Sequence, residues 1–228
     1  MNAFVPAITS QSERFLEALA EQLEIPQSRY ESAERSYMSL GDWLHRAASS
    51  VVEYDPQVYV QGSFRLGTAI KPLNESEDYD VDSVCEFKSL GKFALTQQQV
   101  KAKLGVEVKA YAKAQGMTKP VEEGRRCWKL QYADGAQFHM DIVPAVPNGR
   151  SQRLLLEQKQ MDTRWADTAI AITDNEHATY EVISDDWPRS NPKGYAQWFR
   201  TKVVEFKVRR MTEAAAKAEV EAMPTYRI

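Results

Sequence analysis

Gln61-Gly62-Ser63-Phe64-Arg65-Leu66-Gly67-Thr68 is followed by Tyr79-Asp80-Val81-Asp82 and, much later, by Phe138-His139-Met140-Asp141-Ile142-Val143. Three carboxylates are thus set inside apolar sequence. Strand side chains alternate faces, so Asp80 and Asp82 share one side of a strand while Tyr79, Val81 and Ser83 take the other. If the strand around Asp141 lies alongside, a third carboxylate joins them, and their mutual repulsion calls for bound cations. An oxygen donor set without a Cys or His pair favours Mg²⁺ or Mn²⁺ over zinc. Two such ions roughly 3.5–4 Å apart suit an in-line phosphoryl displacement. In that reading Asp80 and Asp82 hold both ions, and Asp141 ligates the ion that activates an attacking hydroxyl.

The Gly62-Ser63 turn fits the same chemistry. Glycine lets backbone amides approach a triphosphate, and Ser63 adds a hydroxyl donor, best placed at a helix N-terminus. Each piece alone has a plainer explanation: a Gly-Ser turn is a loop in most proteins, and Asp80 with Asp82 could be one exposed strand face. The third aspartate, between Met140 and Ile142, is what makes three solvated accidents a poor account. His139 alternates with Asp141, but a structural histidine explains it equally well, and it receives no role. His45 and His177 need no functional account.

Outward from these motifs, apolar residues at helical spacing predict a first helix from Ser10 using Phe15, Leu16, Leu19, Ala20 and Leu23, with Ser10 and Glu13 as a capping box. A second, long helix is expected over residues 30–51, with Tyr30, Ala33, Tyr37, Leu40, Leu44, Ala47 and Val51 on one stripe. Strands are expected at 58–61, 79–87, 127–132 and 137–146, the last two as a hairpin through Ala133-Asp134-Gly135. Val100, Leu104, Val108 and Tyr111 mark a helix over 100–115. Residues 153–173 mix a short apolar run with polar residues and yield no assignment. From Pro192 to Met223 helix formers dominate, thinning after Met211 to Ala, Lys and Glu. The fold class is therefore α+β: a mixed, mainly antiparallel sheet flanked by helices, with all 228 residues in one catalytic lobe and the helices of residues 1–55 packed on it.

The bulk numbers set limits. A chain of 228 residues with 43% hydrophobic and 27% charged residues has the balance of an ordinary globular protein. Its net charge of −3 offers no broad attraction for a long nucleic acid, although a cleft can be locally basic. Cys85 and Cys127 both sit in apolar stretches, which reads as buried thiols in a reduced cytoplasmic protein. No stretch of eighteen apolar residues occurs, so membrane insertion is not expected, and Met1 to Pro6 does not open an export signal.

Gln61-Gly-Ser-Phe-Arg-Leu-Gly-Thr68, Ile70-Lys-Pro-Leu73, Asp78-Tyr-Asp-Val-Asp82 and Val84-Cys-Glu86 together resemble the bacterial CD-NTase family, relatives of cyclic GMP-AMP synthase that serve antiphage signalling. Met140-Asp-Ile-Val-Pro-Ala145 is similar to its third-aspartate strand, and Ser190-Asn-Pro-Lys-Gly-Tyr195 with Trp198-Phe199 to a later family stretch. The resemblance runs from about Tyr30 onward. The Gly-Ser turn and paired aspartates are common to the whole polymerase-beta superfamily, whereas the flanking strings are more specific.

The resemblance implies a polymerase-beta-like nucleotidyltransferase fold and an enzyme that joins ATP, GTP or pyrimidine triphosphates into cyclic di- or trinucleotide second messengers, working with Mg²⁺ or Mn²⁺. Asp80, Asp82 and Asp141 would be catalytic and metal-binding; Gln61, Gly62, Ser63 and Thr68 would bind nucleotide. Regulatory or effector proteins of a defence operon would be its partners. Family members carry a C-terminal helical lobe that is expected to be missing here, which would weaken synthesis by this form. Two other functions remain open: modification of a protein or tRNA end in a toxin–antitoxin system, separated by its labelled macromolecular product, and a non-catalytic nucleotide-binding module, which would bind metal and nucleotide without releasing pyrophosphate.

Overall fold

The computed structural model describes residues 10–72, 74, 78–132 and 138–221. The chain divides into two compact units, Met1–Pro147 with Ala171–Pro188, and Asn148–Ile170 with Arg189–Ile228. The first unit contains every candidate site residue.

Its elements are α1 (Ser10–Leu23), α2 (Gln27–His45), β1 (Pro56–Val60), α3 (Gly62–Leu66), β2 (Tyr79–Phe87), α4 (Gln97–Ala114), β3 (Glu122–Glu123), β4 (Trp128–Tyr132) and β5 (Phe138–Pro147). The strands lie in the order β1-β2-β5-β4-β3, and β6 (Ile170–Ile172) pairs with β5. Along that order β2 with β5 runs parallel, whereas β1 with β2, β4 with β5 and β3 with β4 are antiparallel. The mixed, mainly antiparallel sheet read from alternation is therefore present. The proposed turn at Ala133-Asp134-Gly135 lies outside the described residues.

Alternation decides which side of the sheet is buried. Val81, Cys85 and Phe87 of β2, Phe138, Met140 and Ile142 of β5, and Trp128 and Leu130 of β4 form one core with Ala33, Leu40 and Leu44 of α2 and Val100, Leu104, Val108 and Tyr111 of α4. Helices thus cover one sheet face, and the aspartates are left to the other. Helix α4 begins three residues before the apolar stripe suggests, because Thr96 and Gln99 make a reciprocal capping box. Gly105 lets it approach the sheet: a Cβ there would fall 2.2 Å from the Trp128 ring. The indole Nε1 of Trp128 donates to the Lys101 carbonyl at 2.8 Å.

Helix α2 stops at His45, not at Val51 as its apolar stripe predicts. The cause is distant in sequence. Glu107 of α4 accepts from the Ser50 amide at 2.6 Å and its hydroxyl at 2.7 Å, and pairs with Arg46 at 2.8 Å. A nearly buried carboxylate needs such donors, and they come from a turn that leaves the helix. Val51 is still fully buried, while Ala47 is exposed. Helix α1 turns Phe15, Leu16 and Leu19 to solvent. It joins the sheet region beyond its end, where Lys71 N donates to the Leu23 carbonyl at 2.8 Å and Ile25 is buried.

After β6 the chain crosses to Asp174, only 2% exposed, which takes Arg125 at 2.7 Å and Arg126 at 2.8 Å. Its amide donates to Gln97 at 3.0 Å, tying this segment to the start of α4.

The second unit contains α5 (Gly149–Gln158), β7 (Arg189–Ser190) and α6 (Pro192–Glu221). The unassigned stretch over 153–173 thus holds the end of α5, a short turn at Ala166–Thr168 and β6. Asn191 caps α6 by accepting from the Gly194 amide at 2.9 Å, with Pro192 at the first helical position. Among the described residues, no helix is long and apolar enough to cross a membrane.

Candidate active site

The parallel register of β2 and β5 sets Asp80 opposite His139, Val81 opposite Met140, and Asp82 opposite Asp141. Since Val81 and Met140 belong to the core, the other four side chains occupy the opposite face as a two-by-two patch of three carboxylates and one imidazole. The sequence expectation that Asp141 joins Asp80 and Asp82 is met by this pairing. A one-residue slip would bury the carboxylates and expose the core, so packing energy holds the patch together. Ser83 reinforces the register by donating to the Asp141 carbonyl at 3.1 Å.

Gly62 closes on the patch from the end of β1. Its φ of +61° lies in the left-handed region, and a Cβ there would fall 2.2 Å from Asp82 Oδ2, so only glycine lets the turn come this close. The Gln61 amide donates to the Asp82 carbonyl at 2.9 Å. Ser63 and Phe64 follow at the start of α3, whose N-terminus has no side-chain cap. Gly67, with φ +69°, ends α3, and Thr68 N donates to the Ser63 carbonyl at 3.0 Å. Ser63, Phe64 and Thr68, with Ile25, Ile70, Lys71, Tyr79 and Asp80, line a cavity of about 310 Å³ that opens beside the carboxylates. Of the residues marked from sequence for nucleotide binding, Ser63 and Thr68 face this cavity, whereas Gln61 and Gly62 act at the Asp82 side.

The electrostatics of the patch are graded. Asp80 is 58% exposed, His139 28% and Asp141 16%, so polar atoms lead inward from solvent. His139 Nε2 lies 3.2 Å from Asp80 Oδ1. That hydrogen bond holds the Asp80 carboxyl below its usual range and raises the imidazole above its own. Asp82 moves the other way: burial, then the charges of Asp80 and Asp141, push its carboxyl from 3.8 to about 6. Asp141 Oδ2 accepts from Cys127 Sγ at 3.2 Å and faces Lys129 Nζ at 3.4 Å, while its Oδ1 is buried with no hydrogen-bond partner. Burial and the Asp141 charge push the Cys127 thiol up to about 12, so it donates as a neutral thiol.

These features fit a divalent cation. The donors are oxygen-rich, one Asp141 oxygen is buried and unpaired, and the donor atoms of Asp80, His139 and Asp141 all lie within 4.8 Å of one another. The sequence reading had no role for His139 and missed Lys129 and Cys127. His139 could have been found from its spacing of two to Asp141; Lys129 and Cys127 depend on the β4–β5 register, where Lys129 stands opposite Asp141. Lys71, Tyr79 and Phe64 enter only through the cavity.

Residues 56–144 match the family model described as the nucleotidyltransferase domain of DncV-like cyclic GMP-AMP synthases. The match agrees with the resemblance to the CD-NTase family that the motifs carry, over residues 56–144. Over 214 residues, 93% of its length, the chain is 28% identical to the c-di-GMP synthase of Roseivirga ehrenbergii, of which it covers 50%. The Bradyrhizobium diazoefficiens CD-NTase CdnG, solved in complex with GTP, superposes with a TM-score of 0.57 at 19% identity, over 80% of this chain and 45% of that one. The CdnC of Escherichia coli MS115-1, from a HORMA complex, gives 0.51 at 14% identity, over 82% and 49%. At these identities the structural likeness is one of fold. The chain spans about half the length of the relatives it matches. Strands β1, β2 and β4, most of β5, the Gly62 turn and all three aspartates fall inside the matched segment.

Proposed function

We propose that this chain is the catalytic part of a nucleotidyltransferase that joins nucleoside triphosphates into cyclic di- or trinucleotides. The observation that carries this reading is the two-by-two patch of Asp80, Asp82, His139 and Asp141, closed by a turn that only Gly62 fits and opening on a cavity beside Ser63 and Thr68. Similarity to a c-di-GMP synthase and to a CD-NTase solved with GTP supports a cyclic product built from nucleoside triphosphates.

In this mechanism a 3′-hydroxyl loses its proton to solvent as its oxygen bonds to the α-phosphorus, the bond from that phosphorus to the bridging oxygen breaks, and pyrophosphate leaves. Asp80, Asp82 and Asp141 would hold Mg²⁺ or Mn²⁺, which supplies neutralisation of the leaving charge and a more acidic attacking hydroxyl. The protein's own groups do the positioning. The Gly62–Ser63 turn brings backbone amides to the phosphates, the Ser63 and Thr68 hydroxyls add donors, and Lys71 adds a cation at the cavity wall. Phe64 and Tyr79 offer ring surface to a base. Alignment of acceptor and triphosphate then accounts for most of the acceleration in phosphoryl transfer. We assign the activity to the cytoplasm and to antiphage signalling through a separate effector protein.

The test is incubation of the protein with labelled triphosphates and Mg²⁺ or Mn²⁺, phosphatase treatment and chromatography. A phosphatase-resistant cyclic nucleotide, lost in Asp80→Asn/Asp82→Asn, is expected. Label transferred instead to protein or tRNA, or no triphosphate turnover with either ion, would overturn the assignment.

A further inference from the structure

We propose that His139 is itself a ligand of the cation held by this site and biases it toward Mn²⁺ over Mg²⁺. The inference rests on the metal-centre reading of the aspartates and deepens it. Its first support is placement. His139 shares the aspartates' face of β5, two residues before Asp141, and lies opposite Asp80 in the parallel register. Core packing of Met140 and Ile142 fixes the strand's orientation, which keeps the imidazole on the aspartates' face.

The second support is distance. Two adjacent donors of an octahedral ion with bonds of about 2.1 Å are separated by roughly 3 Å, and two opposite donors by roughly 4 Å. His139 Nε2 and Asp80 Oδ1 are 3.2 Å apart, and the donor atoms of Asp80, His139 and Asp141 all fall within 4.8 Å. This is the spacing of one ion's ligand shell with minor adjustment. It is a potential ligand group found among the described residues, and Asp82, opposite Asp141 and beside the Gly62 turn, borders it.

The third support is donor chemistry. Mg²⁺ binds through oxygen and keeps much of its water, whereas an imidazole nitrogen suits transition ions. Mn²⁺ accepts carboxylate as readily as Mg²⁺ does and tolerates nitrogen as well. Two carboxylates with one imidazole therefore favour Mn²⁺. The competing account is that His139 only holds Asp80 in place by a hydrogen bond, which would leave ion preference unchanged and put no nitrogen on the metal.

The experiment is Mn²⁺ binding to the intact chain without nucleotide, with free ion read by electron paramagnetic resonance, Mg²⁺ as competitor, and bound ion examined by electron spin-echo envelope modulation. The proposal expects ¹⁴N modulation in the native protein, replaced by a ¹⁵N signal after ¹⁵N-histidine labelling and absent in His139→Ala and His139→Asn. It expects Mn²⁺ to bind about tenfold more weakly in these variants, with Mg²⁺ affinity changing much less. His139→Asp should keep Mg²⁺ binding without restoring Mn²⁺ preference. Bound Mn²⁺ without histidine nitrogen modulation, or an unchanged Mn²⁺-to-Mg²⁺ ratio in folded variants, overturns the role of His139. If those results come with binding that is still lost in Asp80→Asn, the metal-centre reading survives; no divalent binding by the native chain overturns both. Should His139→Ala fail to fold, His139→Asn and the ¹⁵N comparison decide.

Discussion

Replacing Asp82 with asparagine should stabilise the metal-free protein at neutral pH. Burial and the Asp80 and Asp141 charges raise the Asp82 carboxyl from 3.8 to about 6 in the folded state. An acid with a raised folded value is neutral in both states below its unfolded value and adds no cost there. As pH climbs through about 6 the folded state must carry a charge that the unfolded chain holds more easily, and the cost reaches its full size above that value. At full strength it is about 3 kcal/mol, and partial solvation reduces it to about 1–3 kcal/mol. Asp82→Asn keeps the shape and removes the charge. In a protein of this size the midpoint should rise by roughly 2–12 °C. The assay is thermal unfolding by circular dichroism in chelator, near neutral pH and again at about pH 4, where the two proteins should converge. Added Mn²⁺ or Mg²⁺ should stabilise the native protein by mass action and the variant much less, so the order closes or reverses. An Asp82→Asn protein that is less stable than the native one by the same amount at both pH values would refute the repulsion argument.

Asp174 should behave oppositely. Burial would raise its carboxyl, but the hydrogen bonds from Arg125 and Arg126 overcome it and hold the group well below the usual range. Its contribution is therefore present above an ordinary aspartate's value and lost as pH falls below it; Asp174→Asn should cost about 1–4 kcal/mol near neutral pH in urea unfolding, with the difference shrinking toward about pH 3. Gly62→Ala meets both a left-handed φ and the Asp82 carboxylate, and should cost about 1–3 kcal/mol while weakening Mn²⁺ binding, measured by paramagnetic titration. Leu104→Ala, in the core on the far side of the sheet, should cost about 2–5 kcal/mol in the same unfolding assay yet leave Mn²⁺ affinity within about twofold, since it touches no donor.

The parts of the fold that were legible from sequence are those set by short-range pattern. Tyr79–Phe87 alternates and is a strand over those residues, and the Val100–Tyr111 stripe is the buried face of α4. What was illegible depends on partners far along the chain. The α2 stripe continues in period to Val51, but Glu107 draws Arg46 and Ser50 out of the helix. Residues 153–173 hold only the end of the ten-residue helix α5 and a three-residue strand, each too short to establish a period. Ser190-Asn-Pro-Lys-Gly-Tyr195, matched only as a string, has a local physical role: Asn191 caps α6 and Gly194 gives that cap room, since a Cβ there would meet the Asn191 side chain.

The site was readable for a related reason. Three aspartates separated by some sixty positions can be grouped from sequence only because alternation fixes the face of each strand, and a parallel neighbour then needs one register to bring them together. Sequence does not state that register, but the core does: Val81 and Met140 can both be buried as partners only if Asp82 meets Asp141 and Asp80 meets His139. The same constraint that made the carboxylates predictable therefore carried His139 into the patch, where composition alone gave it no role. Lys129 and Cys127 follow from the next pairing, which sets Lys129 opposite Asp141 across β4. Without a cation, that ammonium is the nearest opposite charge to Asp141. An ion bound at Asp141 must compete with Lys129 for the carboxylate, so the affinity of the site reflects the neighbouring strand as well as its ligands.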